Sequence, residues 1–159
     1  MSTVPFNRIK GCDLDVGSVY ERGNPGNVSD DPLSLLLPGV GNQGGFRISG
    51  RPRADPKLVT LYSSGEDNNW PDHIDYPFNR LIYFGDNKRP GNSITQTSVG
   101  NNSLLKSVFS YLHEFPRRLG PIPHFFAFRK SVTPDSSRSV DFLGLAVPGV
   151  LDYQQLMTC

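Results

Sequence analysis

Five stretches of the chain are apolar on alternate residues or continuously over a few positions, bounded by Gly, Pro, Asn or Asp, as short half-buried or buried β-strands are. They predict strands at Gly45–Ser49, Lys57–Ser63, Arg80–Phe84, His124–Arg129 and Val140–Val147. A different rhythm follows in one place. Leu104, Leu105, Val108, Phe109 and Leu112 recur at helical spacing and form one apolar stripe, predicting a helix from Ser103 to His113 capped within Asn101-Asn102-Ser103. A short helix is predicted over Asp31–Leu37, with Asp31 as N-cap, Pro32 in the first turn and Pro38-Gly39 as the stop. Strands outnumber helices and do not alternate with them regularly. The expected fold class is therefore α+β: a single domain, residues 1–159, with a curved mixed β-sheet or partly closed β-barrel flanked by a few helices.

Composition agrees with many tight turns, since 16 Gly and 14 Pro are many for 159 residues. Ten Phe, six Tyr and one Trp supply enough apolar area for a packed core and argue against disorder. No apolar run approaches the roughly 20 residues of a membrane span, and no basic segment followed by an apolar stretch opens the chain. Cys12 and Cys159 lie far apart without metal-ligand spacing and read as free thiols. These features lead to the expectation of a cytoplasmic protein without a membrane partner.

Charge changes the picture more. The net charge is only +1, yet residues 1–79 hold seven Lys/Arg against ten Asp/Glu. Residues 80–130 hold Arg80, Lys88, Arg89, Lys106, Arg117, Arg118, Arg129 and Lys130 against only Asp86 and Glu114. A local excess of this size on a near-neutral domain fits either a polyanion site or a solvated basic face.

Catalytic patterns are sparse. His73, His113 and His124 each stand alone, and no His-Glu-x-x-His, paired-cysteine or nuclease Glu-x-Lys arrangement can be drawn. The stretch Gly39-Val40-Gly41-Asn42-Gln43-Gly44-Gly45 is glycine-rich but lacks the Gly-Lys-Ser/Thr of a phosphate-binding loop. It reads instead as a binding surface: glycines permit close backbone approach, and Asn42 and Gln43 both donate and accept hydrogen bonds. The loop Tyr83-Phe84-Gly85-Asp86-Asn87-Lys88-Arg89-Pro90-Gly91 adds two adjacent cations beside Asn87, stiffened by Pro90. The start of the helix at Asn101-Asn102-Ser103 offers N–H groups suited to a phosphate oxygen. Expected is a binding module without cofactor or metal.

Four blocks, in order from about residue 12 to 150, carry a resemblance. They are Asp31-Pro32-Leu33 with Gly41–Arg47; Leu61–Ser64 through Trp70-Pro71-Asp72-His73-Ile74-Asp75; Tyr83–Gly91; and Phe142–Gly149. Together they resemble the modification-sensing DNA-binding domains of type IV restriction systems. These comprise the sulfur-binding domain of McrA-like endonucleases and the related N-terminal domain of modification-dependent restriction enzymes. The resemblance implies a domain that binds double-stranded DNA carrying a backbone phosphorothioate, with nuclease activity in another domain, for example of HNH type, of a longer protein.

The resemblance also implies a sulfur pocket of Arg22, Trp70, Pro71 and Ile74, where the family usually has Tyr at the position of Trp70 and Ala at that of Ile74. An apolar wall of this kind accepts a polarisable sulfur and strips water from an ordinary phosphate oxygen without replacing it, a penalty of about 1–3 kcal/mol. Expected DNA contacts are Lys88, Arg89, Arg117 and Arg118 on phosphates, Asn42, Gln43, Asn87 and Arg89 at base edges, and His73. The alternative is a 5-methylcytosine reader, as in the related domains, which flips the base into an aromatic pocket.

Overall fold

The computed structural model describes residues 2–50, 56–69, 71–84, 91, 93, 95, 101–114 and 122–149. Among these residues, eight strands form two sheets. The larger has six strands in the order β1 (Thr3–Val4), β2 (Val19–Tyr20), β8 (Ser139–Ala146), β7 (His124–Ser131), β4 (Leu58–Ser63) and β3 (Phe46–Ser49). The smaller is a hairpin of β5 (His73–Asp75) and β6 (Arg80–Ile82). Two pairings, β1 with β2 and β4 with β7, are parallel, and the others are antiparallel. The expected mixed sheet is therefore present, but it is open, with β1 and β3 at its edges, and does not close into a barrel.

The five expected strands match β3, β4, β6, β7 and β8 to within two residues at each end. β1, β2 and β5, two or three residues long, are not among the expected strands; β6, also three residues, is, because its apolar run continues through Tyr83-Phe84. The first expected helix is α1 (Pro32–Leu36), where the Asp31 carboxylate accepts from the Ser34 N–H at 3.1 Å. The second is α2 (Asn101–Glu114), and it starts two residues early. Asn101 and Asn102 are buried in this first turn, whereas Ser103 is exposed.

Side chains on alternate faces of the sheet build two cores. On one face Tyr20, Phe128, Val140 and Phe142 pack with Ile9 and with Leu33 and Leu37 of the α1 region. On the other Phe46, Val59, Leu61 and Phe125 pack with Val108 of α2, and Leu104, Leu105 and Leu112 join them from the same stripe. Phe109, also in the expected stripe, is half-buried and stacks on His113 at 5.9 Å. The β5–β6 hairpin lies over this second face, since Leu81 and Tyr83 enter the same core. The β7–β8 register shifts between Ala127 and Phe128, where Leu143 is an extra residue in β8, and the adjoining Gly144 takes φ +125°, which only glycine adopts without strain.

Candidate nucleic-acid interface

The glycine-rich loop between α1 and β3 is shaped by a side chain beneath it. Arg47 stands between Phe46 and Ile48, whose side chains face the α2 core, so it points to the α1 face. There it is 7 % exposed. Its guanidinium forks onto Asp31, Nη1 to Oδ1 at 2.6 Å and Nη2 to Oδ2 at 3.1 Å. The remaining donors reach up into the loop: Nε donates to the Gly44 carbonyl at 2.7 Å and Nη1 to the Gly41 carbonyl at 2.9 Å. Asn42 and Gln43, between these two anchors, are exposed at the tip.

The far side of the loop is tied to the hairpin. The Tyr62 N–H donates to the Gly45 carbonyl at 2.7 Å. A Cβ on Gly45 would lie 2.8 Å from the Tyr62 carbonyl oxygen and 3.0 Å from the Tyr83 hydroxyl, so only glycine allows this approach. Tyr83 also packs on Phe46, ring centroids 6.3 Å apart. Tyr83 and Phe84 lead directly into Gly85–Pro90, which with its expected DNA contacts Asn87, Lys88 and Arg89 lies outside the described residues.

The same hairpin end holds Pro71, which is exposed, and Asp72, whose carboxylate accepts from the Phe84 N–H at 3.0 Å. His73 is exposed opposite Ile82, on the outward face that also carries Asp75, Arg80 and, by alternation, Phe84. Ile74 pairs with Leu81 and is half-buried on the inward face. Pro71, His73 and Phe84 thus share the hairpin end, and the loop that carries Asn42 and Gln43 is joined to that hairpin where Gly45 meets Tyr83. Trp70, Arg117 and Arg118 lie outside the described residues.

Arg22 is not at this end of the hairpin. It belongs to the buried cluster on the α1 face, with Nη1 3.9 Å from Asp31 and Nη2 donating to the Asn27 carbonyl at 3.2 Å. Arg22 thus sits beside Asp31 on the α1 face, while Ile74 belongs to the hairpin that covers the other face. Sequence reading missed Arg47 because a polar residue between two apolar ones in a strand reads as solvent-facing. The available signal was Asp31, an acidic residue whose capping role leaves an oxygen free for a buried cation.

The basic segment is also less free than its charge implied. Arg129 donates to Asp141, at 2.9 Å through Nε and 2.7 Å through Nη2, and lies over the Tyr76 ring at 5.6 Å. Lys130 pairs with Glu66, and Arg80 with Asp75 at 3.4 Å. Lys106 remains exposed on α2. Among the described residues no group of three His, Cys, Asp or Glu side chains is placed to hold a metal ion, and no helix is long and apolar enough to cross a membrane.

Burial raises the Tyr62 phenol above its ordinary value of 10.0, outweighing the opposing effect of nearby Arg47, and burial raises Tyr20 likewise. A phenol whose folded value lies above its unfolded one stabilises fully below the unfolded value and loses that contribution as pH climbs through the folded one. The urea midpoint is therefore expected to hold steady up to about pH 10 and then fall, and Tyr62→Phe should flatten part of that alkaline limb. An alkaline limb identical in Tyr62→Phe would place the titration elsewhere.

Comparison with known proteins gives this geometry a context. Residues 14–157 match the family described as restriction endonuclease AspBHI, N-terminal. Among solved structures, the DNA recognition domain of the cytosine modification-dependent restriction endonuclease LpnPI is 43 % identical, with a TM-score of 0.86 over 94 % of this chain. The DNA modification-dependent restriction endonuclease AspBHI is 34 % identical, with a TM-score of 0.79 over 95 % of this chain. The chain spans 65 % of the first of these structures and 38 % of the second. A search of the curated proteins found no match. With both family match and identity running through nearly its whole length, the chain belongs to the AspBHI N-terminal family of restriction endonucleases.

Proposed function

We propose that this chain is a DNA recognition module of a modification-dependent restriction endonuclease, and that it reads a modified cytosine in duplex DNA. The observation that carries the reading is its likeness, through 94 % of its length, to the recognition domain of a cytosine modification-dependent enzyme. The convergence of the Asn42–Gln43 loop with the hairpin end supports it, because amide side chains suit base edges and Phe84, 41 % exposed, offers an apolar face for an unstacked step. Cleavage on this reading resides in a separate nuclease domain, and pure chain given Mg²⁺ leaves modified plasmid intact.

A second reading is backbone phosphorothioate. Exposed Pro71 and half-buried Ile74, three residues apart at the start of the hairpin, favour it as apolar groups that could meet sulfur. Against it stands Arg22, whose guanidinium is engaged with Asp31 on the other face.

A competition assay separates the two. Three duplex pools with randomised flanks would carry a central 5-methylcytosine, a central phosphorothioate or neither, at one stated salt concentration. The methylated pool is expected to compete best, by roughly 5- to 150-fold, the range that about 1–3 kcal/mol of discrimination gives. A phosphorothioate pool that wins would reverse the order of the readings, and three equal pools would end both. A fluorescent base analogue opposite the modification adds a signal for base extrusion.

A further inference from the structure

We propose that Arg47, locked by Asp31, is a positioning residue for recognition: it sets the conformation in which Asn42 and Gln43 meet DNA. This inference rests on the reading of the chain as a DNA recognition module. Arg47 itself is buried, so whatever it does for binding is done through the loop above it.

The geometry leaves it little other work. A guanidinium needs one acceptor pair to be neutralised, and Asp31 supplies that pair in fork-to-fork contact. The two further bonds, to the carbonyls of Gly44 and Gly41, bracket the two tip residues on both sides. A loop of glycines has the largest conformational freedom to lose on binding, and a preset loop loses less of it at the moment of contact. The planar arginine fork reaches four acceptor oxygens on three residues, whereas a lysine ammonium on its flexible stem cannot hold the same set in register. Asp31 itself is fixed by its bond to the first turn of α1, so the chain of support runs from helix cap to carboxylate to guanidinium to loop.

The test is Arg47→Lys in the 159-residue chain, which keeps a positive charge against Asp31 and removes the double carbonyl bond. Hydrogen exchange is read at residues 41–45 and at β4 and β7. Binding is read as the ratio of affinities for the 5-methylcytosine pool and the unmodified pool. Expected are faster exchange confined to the loop, a ratio lower by about tenfold, as one good base contact gives, and affinity for unmodified DNA within about twofold of wild type. Equal loss on both pools, or unchanged exchange in the loop, overturns the proposal.

A tip variant, Asn42→Ala with Gln43→Ala, guards against an unfolded Arg47→Lys. Both positions are exposed, and the variant should lose the same discrimination; adding Arg47→Lys to it should cost none further. Full discrimination retained by the tip variant overturns the proposal as surely. If the wild-type chain prefers neither pool, it is the recognition reading that falls, while the exchange measurement still judges whether Arg47 organises the loop.

Discussion

Asp31→Ala is expected to lower the unfolding free energy by about 3–5 kcal/mol, because it strips the counter-ion from two buried guanidinium groups at once. Arg47 would keep its carbonyl bonds but carry an uncompensated charge at 7 % exposure, and Arg22 would keep only its bond to Asn27. Roughly 1 kcal/mol of the loss belongs to the α1 cap, since alanine cannot accept from the Ser34 N–H. Urea unfolding measures the effect as a lowered midpoint at unchanged slope. Adding Arg47→Met should recover part of it, as an apolar stem replaces the orphaned charge. A loss below about 1 kcal/mol would mean that both guanidiniums reach water in the variant, contrary to their burial.

Phe128→Ala should cost a similar amount, about 3–5 kcal/mol, by a different mechanism. Phe128 is fully buried, its ring 5.0 Å from that of Phe142, and it occupies the α1-side core beside Tyr20 and Val140. It also pairs with Phe142 beside the bulge in β8, and β7 cannot relax inward there without breaking that pairing. A cavity therefore remains. For a chain of this length the melting temperature should fall by roughly 6–20 °C. The same exchange at Phe78, 73 % exposed on the hairpin, should stay within about 0.5 kcal/mol. A small loss at Phe128 would mean that the bulge lets the sheet collapse onto the space.

The contrast between these positions tracks what could be read in advance. The four- to eight-residue strands and the Leu104–Leu112 stripe were legible because each repeats its pattern often enough to be seen. Partnering was not, since nothing local in Leu58–Ser63 says that it will lie parallel to His124–Arg129. The Gly39–Gly45 loop was legible as a surface because glycine and amide residues have few other uses in a row. Its support was not, because Arg47 and Asp31 meet only through the fold. Charge counting could not foresee pairing for the same reason: Arg129 and Lys130 find Asp141 and Glu66, which lie outside the basic segment. Arg22 was assigned by resemblance, and local sequence held no sign that its guanidinium would turn to Asp31.

The parallel pairing of β4 with β7 has a kinetic corollary. The hairpin and α2 both lie on the connection between those strands, so the centre of the sheet cannot form until a long excursion of chain has returned. Closing such an excursion costs entropy before any contact offsets it. The hairpin end proposed for DNA contact is thus carried on a part of the molecule secured late in folding, and until β7 docks, β4 waits with one side unpaired.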